Sequence, residues 1–91
     1  MPENIRFLFK KGMIEVISYL SKVEKTNYYT IQKQGFVGSR QTFANILKEL
    51  EKRGIVNREV MESRPPRVEY SLTNKGKEIA RILEVLKKAI Q

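Results

Sequence analysis

The chain contains no cysteine, no histidine and no tryptophan. Without Cys there can be no disulfide scaffold, no thiol nucleophile and no thiol switch, and without His the imidazole base and a common zinc ligand are missing too. No metal centre and no cofactor is expected. Scattered Glu residues supply neither a nucleophile with its base nor a paired acid site, so an enzyme is not expected either. Long apolar runs are also absent, and the opening Met1-Pro2-Glu3-Asn4 lacks a basic segment followed by an apolar core and a cleavage site. These absences read as a soluble cytoplasmic chain with no membrane partner.

What is present is one small basic domain, residues 1–91, with 41% hydrophobic and 31% charged residues. A chain of this size buries about 60–65% of its unfolded surface, enough for one modest core. Lys and Arg number 18 against 10 acidic residues, a net charge of +8, which favours polyanionic partners. The stretch from Thr26 to Lys48 holds Lys33, Arg40 and Lys48 and no carboxylate.

Hydrophobic spacing gives the elements. From Ile5 to Val23, Phe9, Met13, Val16, Ile17 and Leu20 fall on one side of a helix, with Gly12 marking either a close backbone approach or the true helix start. Tyr28 to Gln34 reads as a short second helix. Ser39 stands as N-cap of a third, running from about Arg40 to Arg53 and closed by Gly54. Phe43, Ile46, Leu47 and Leu50 share its inner arc, while Gln41, Ala44, Asn45, Lys48 and Lys52 lie outside. The period then becomes two. Ile55 to Met61 and Arg67 to Leu72 form a β-hairpin with Pro65-Pro66 at its tip and Val68, Tyr70 and Leu72 on its core side. Thr73 caps a last helix, about 74–90. Its apolar surface comprises one stripe of Ile79, Leu83, Leu86 and Ile90 and another of Ile82, Val85 and Ala89, too wide for one contact, so pairing with a second copy is expected.

This mainly α order with a small hairpin, α-α-α-β-β-α, is the winged helix-turn-helix plan. Leu47-Lys48-Glu49-Leu50-Glu51-Lys52-Arg53-Gly54-Ile55-Val56 is similar to the recognition-helix exit of winged-helix regulators. The segment Pro65-Pro66-Arg67-Val68-Glu69-Tyr70-Ser71-Leu72-Thr73-Asn74-Lys75-Gly76 closely resembles the wing and following helix start of HxlR/MarR-like transcription regulators. The resemblance spans about 13–83. It implies a homodimer on double-stranded DNA, with the third helix in the major groove, the wing (about 56–72) on flanking backbone or minor groove, and the terminal helices paired. The Cys-containing opening of some relatives is missing.

Amide side chains suit adenine edges and Lys suits guanine, which makes Gln41, Asn45 and Lys48, at i, i+4 and i+7, the direct-readout candidates. The first turn of helix three carries no acid, so Ser39, Arg40 and Thr42 are candidates for a phosphate, beside the capping role open to Ser39. Arg64 and Arg67 bracket the proline pair and Arg58 joins them as wing contacts; Arg67 can instead pair with Glu69 or Glu59. Lys33 is a backbone contact from helix two, where Tyr28 or Tyr29 can also reach DNA, although one of two adjacent tyrosines is normally core. The rival reading is a winged-helix protein-interaction module; RNA binding is disfavoured because the strand aromatics face the core.

Overall fold

In the computed structural model, which describes residues 5–91, Gly12 divides the first apolar stretch in two. Its φ of 89° is left-handed, and a Cβ there would stand 2.6 Å from Val37 Cγ1 and 3.3 Å from Ile46 Cδ1. Of the two readings left open at Gly12, the helix start holds: α1, Met13–Val23, begins directly after it and is preceded by a 3-10 helix, Ile5–Phe9. Phe9 leaves the expected stripe and is 69% exposed, whereas Met13, Val16, Ile17 and Leu20 are buried. Residues 1–4, read above for a leader, lie outside the described part.

The remaining elements are β1 (Lys25–Asn27), α2 (Tyr28–Gln32), α3 (Arg40–Lys52), β2 (Val56–Met61), β3 (Arg67–Leu72) and α4 (Asn74–Ile90). They follow the expected winged-helix order with one addition. Strand β1 pairs antiparallel with β3 (Lys25↔Ser71, Thr26↔Tyr70, Asn27↔Glu69), giving a three-stranded sheet ordered β1-β3-β2. Lys25, Thr26 and Asn27, one charged and two polar residues, carry no readable alternation, and their strand conformation comes from the ladder that β3 offers. Asn27 ends it by accepting the Thr30 N–H at 2.9 Å, capping α2.

Helix α3 forms as its sequence dictates. Ser39 Oγ accepts the Thr42 N–H at 3.2 Å, Phe43, Ile46, Leu47 and Leu50 are buried, and Gly54 (φ 75°) turns the chain out. In the hairpin Val56 pairs with Leu72, Arg58 with Tyr70, Glu59 with Glu69 and Met61 with Arg67. Directly paired residues share a face, so Arg58 lies on the helix-facing side with buried Tyr70, and Glu59 lies with Glu69 on the back.

The start of α4 binds the exit of α3. Thr73 Oγ1 accepts the Gly76 N–H at 3.0 Å and donates to the Gly54 carbonyl at 2.6 Å, the Thr73 N–H donates to the Ile55 carbonyl at 3.0 Å, and Lys75 Nζ donates to the Arg53 carbonyl at 2.8 Å. Gly76 is buried against the Ile55 carbonyl with no room for a Cβ. Further along, Ala80 and Leu83 are buried and Ile79 packs on the core. Leu83, expected on the dimer face, is thus a core residue, and Ile79 is largely taken up in the same way; Ile82, Val85, Leu86 and Ile90 are each more than half exposed, and Ala89 is exposed.

Gly76→Ala should force the Ile55 backbone aside and lower unfolding stability by about 1–3 kcal/mol or more, while Gly38→Ala, at a site with open space around it, should cost far less. Urea midpoints of the two variants check this.

Candidate nucleic-acid interface

The outer face of α3 is built by the helix period itself: with Phe43, Ile46, Leu47 and Leu50 turned inward, Gln41, Asn45 and Lys48 are exposed. Gln41 Nε2 donates to Asn45 Oδ1 at 3.0 Å, one turn away. The two amides brace each other and leave the Gln41 carbonyl oxygen and the Asn45 amide nitrogen pointing to no partner among the described residues. One acceptor and one donor are the groups that pair with the donor and acceptor adenine presents in the major groove. At the head of the helix Ser39 performs the capping role, Arg40 and Thr42 are exposed, and the first turn carries no acidic residue.

Arg58, Arg64 and Arg67 are all exposed on the hairpin, the last two flanking Pro65-Pro66 at the tip. Among the described residues Arg67 pairs with neither Glu69 nor Glu59; Glu69 is met instead by Lys25, at 3.8 Å. Two recesses connect wing and helices. A groove beside α3 is lined by Lys48, Glu51, Arg58 and Tyr70 among others, and a cleft of about 660 Å³ between α2 and the hairpin is lined by Tyr29, Lys33, Arg58 and Arg67. Lys33 is thereby brought to the wing, as is Tyr29, 74% exposed. Tyr28 is the packed member of the pair, its ring edge-on to Phe43 at 4.9 Å. The i, i+4 spacing of Tyr29 and Lys33 was the available signal that both share one face of α2.

Ion pairing divides the surface. The observed pairs are Lys10–Glu49 (2.8 Å), Arg53–Glu49 (3.0 Å), Lys25–Glu69 (3.8 Å), Arg81–Glu78 (2.7 Å) and Lys87–Glu84 (3.2 Å). Lys33, Arg40, Lys48, Lys52, Arg58, Arg64 and Arg67 form no ion pair among the described residues. Sequence spacing did not reveal the cluster on the flank of α3, in a recess shared with Lys48 and Lys52, where Glu49 ties Lys10 and Arg53 together and the Arg53 guanidinium stacks 4.0 Å from the Phe7 ring centre. The Lys10 hydrogen bond, helped by Arg53 and opposed by partial burial, holds the Glu49 carboxyl below its ordinary range. The described residues hold no cluster of metal-ligating side chains, and none of their helices is long and apolar enough to cross a membrane.

The sequence profile of the HxlR-like helix-turn-helix proteins matches residues 10–91. The chain belongs to this family. Curated relatives agree. An "uncharacterized HTH-type transcriptional regulator" of Methanothermobacter thermautotrophicus is 48% identical over 48 residues, covering 53% of this chain and 37% of its own. YvaP of Bacillus subtilis, similarly described, is 48% identical over 50 residues, covering 55% and 46%. The matched segments thus span less than half the length of these two relatives. Among solved structures, the reduced form of the transcriptional regulator YodB from B. subtilis is 26% identical with a TM-score of 0.77, covering 91% of this chain and 80% of that one. A MarR-family regulator from Porphyromonas gingivalis W83, 23% identical, shares the fold at a TM-score of 0.79 over 92% and 81% of the two chains. As an HxlR-like protein, the chain has the helix-turn-helix and hairpin order of winged-helix transcription regulators.

Because the folded state lowers the Glu49 pKa, the stability this carboxylate contributes is complete above its unfolded pKa and is lost as pH falls through the depressed folded value. Glu49→Gln should therefore cost up to about 1 kcal/mol at neutral pH, and the difference from wild type should vanish in strong acid. Denaturant titrations at both pH values measure it.

Proposed function

We propose that this HxlR-like protein is a cytoplasmic, non-catalytic transcription regulator that binds double-stranded DNA as a sequence-specific homodimer. The observation carrying this reading is the set of unpaired cations: Lys33, Arg40, Lys48, Lys52, Arg58, Arg64 and Arg67 stand without ion pairs among the described residues, while Glu49, Glu69, Glu78 and Glu84 are held in ion pairs and Glu59 is turned to the back of the sheet. The names of the relatives support it. Helix α3 enters the major groove with Gln41, Asn45 and Lys48 on base edges. Arg40 and Thr42, with the Ser39 cap, hold a phosphate at its leading end. Arg58, Arg64 and Arg67 follow the flanking backbone or minor groove, and Lys33 adds a backbone contact from α2. A protein-interaction module would leave this unpaired cationic face unexplained.

Dimerisation proceeds through α4, where Ile82, Val85, Leu86, Ala89 and Ile90 remain outside the core and Ile79 and Leu83 back them from within. A twofold pair places two α3 helices against half-sites about 34 Å apart, one helical turn of DNA.

Selection from a random duplex pool should yield a pseudo-palindromic site, with affinity falling steeply as salt rises. Gln41→Ala should change base preference at one position per half-site, whereas Arg64→Ala should weaken all sequences alike and lower the log–log salt slope by about 1. Failure to bind any duplex at low salt overturns the reading. For assembly, sedimentation should give a dimer for the wild type and a folded monomer for Val85→Glu; a monomeric wild type overturns the α4 pairing.

A further inference from the structure

We propose that the cleft between α2 and the hairpin is a backbone clamp that takes one DNA phosphate and its deoxyribose, with the Tyr29 hydroxyl as hydrogen-bond donor to the phosphate. The proposal rests on the DNA-binding reading and adds a residue and a site to it.

Tyr29 is a large aromatic side chain left 74% exposed beside a recess about 660 Å³ in volume. It is held rather than loose. Its ring stands edge-on to Tyr28 at 6.3 Å and 86°, and Tyr28 stands edge-on to buried Phe43 at 4.9 Å and 73°. An aromatic side chain with few torsions, braced through a second ring to the core, loses little freedom when a ligand arrives. Around it the cleft gathers Lys33, Arg58 and Arg67 from three different elements, and no carboxylate lines it. None of these cations is in an ion pair among the described residues. A site with several cations, a phenol donor and no acid is complementary to an anion carrying an apolar body, which describes the sugar-phosphate unit: oxygens to the cations and hydroxyl, deoxyribose to the ring.

Position identifies the source of that unit. Tyr28, Arg58 and Tyr70 line both this cleft and the groove beside α3 that contains Lys48. The two recesses therefore form one trough, and a strand whose bases meet α3 continues along it past Arg58 to Tyr29. In a duplex the base faces are stacked and closed to Tyr29, which favours backbone over base.

The test uses the full chain and a duplex recovered from the random-pool selection. Tyr29→Phe should lower affinity roughly tenfold, by the same factor on the selected and a scrambled duplex, with an unchanged salt slope because no charge is lost. A scan of single methylphosphonate substitutions should find one flanking phosphate whose neutralisation weakens the wild type but adds little to the loss already present in Tyr29→Phe. Thermal melts of the variant should match the wild type, since Tyr29 is exposed. If the wild type binds and Tyr29→Phe binds equally well, or if Tyr29→Ala alone weakens it, the hydroxyl contact is overturned while the regulator reading stands. If the wild type binds no duplex, both fall.

Discussion

A helix ends with carbonyl oxygens that have lost their intrahelical donors, and everything in this molecule is hung on the way α3 resolves that shortage. The carbonyls of Leu50 and Glu51 are met by the N–H groups of Ile55 and Gly54, and those of the C-cap Arg53 and of Gly54 and Ile55 in the turn beyond it by Lys75 Nζ, the Thr73 hydroxyl and the Thr73 N–H. The last three donors come from the N-cap and first turn of a different helix. Because Gly76 lies against the Ile55 carbonyl where no Cβ fits, α4 approaches to backbone contact. The Lys75 ammonium also sits at the negative end of the α3 dipole. One short segment thus fixes the angle between the helix bearing Gln41, Asn45 and Lys48, the root of the hairpin at Val56, and the helix whose apolar face is uncovered.

That rigidity allows charge to be distributed by function rather than by local pairing. Glu49 is used inward, joining the N-terminal Lys10 to Arg53, which in turn covers Phe7. Glu59 and Glu69 lie opposite each other on the back of the sheet, a like-charged placement that Lys25 relieves from β1. Leaving cations unpaired in water costs little stability, since an exposed ion pair contributes little in the first place. The same cations gain far more against a polyanion, where each releases condensed counterions. Glu51 and Glu62 are exceptions, exposed and without an ion pair among the described residues. Glu51 lines the groove beside α3, where a carboxylate would repel a DNA backbone and narrow the registers open to the helix.

Most of this architecture was legible in the sequence wherever local chemistry and tertiary packing agree. The Ser39 cap, the Gly54 exit, the alternation of Val68, Tyr70 and Leu72, and the Thr73 start each follow from a residue suited to its own backbone position. What escaped depends on partners remote in sequence. The three-residue β1 exists because β3 has an open edge, and its own pattern is too short to read. Phe9 matched the helical period, yet the break at Gly12 is imposed by Val37 and Ile46, residues more than twenty positions away, and it turns Phe9 out to solvent. The wide stripe on α4 was visible, but periodicity alone could not divide it between this chain's core, which takes Leu83, and a surface left for something else. For the candidate site, residue types and helix face were readable; that Tyr29, Lys33, Arg58 and Arg67 converge on one cleft was not, because α2 and the hairpin meet only through the folded sheet.

The α4 pairing proposed above meets an electrostatic problem, because two chains each carrying +8 would come together over that face. Two of the five cations of the helix are neutralised in place. Glu78 with Arg81 and Glu84 with Lys87 are paired along its own length, and Lys87 also donates to Ser18 of α1 at 2.9 Å, which draws its charge back toward the chain it belongs to. Lys75 is drawn to the Arg53 carbonyl at the start of the helix, which leaves Lys77 and Lys88 as its cations with neither an ion pair nor a hydrogen bond among the described residues. Pairing through the α4 face would set the hydrophobic gain at Ile82, Val85, Leu86 and Ile90 against a repulsion that these ion pairs reduce and salt screens. The Thr73–Gly76 junction then makes the crossing of the two α4 helices set the separation of the two α3 helices, so apolar residues far from any DNA would fix the spacing at which the molecule reads it.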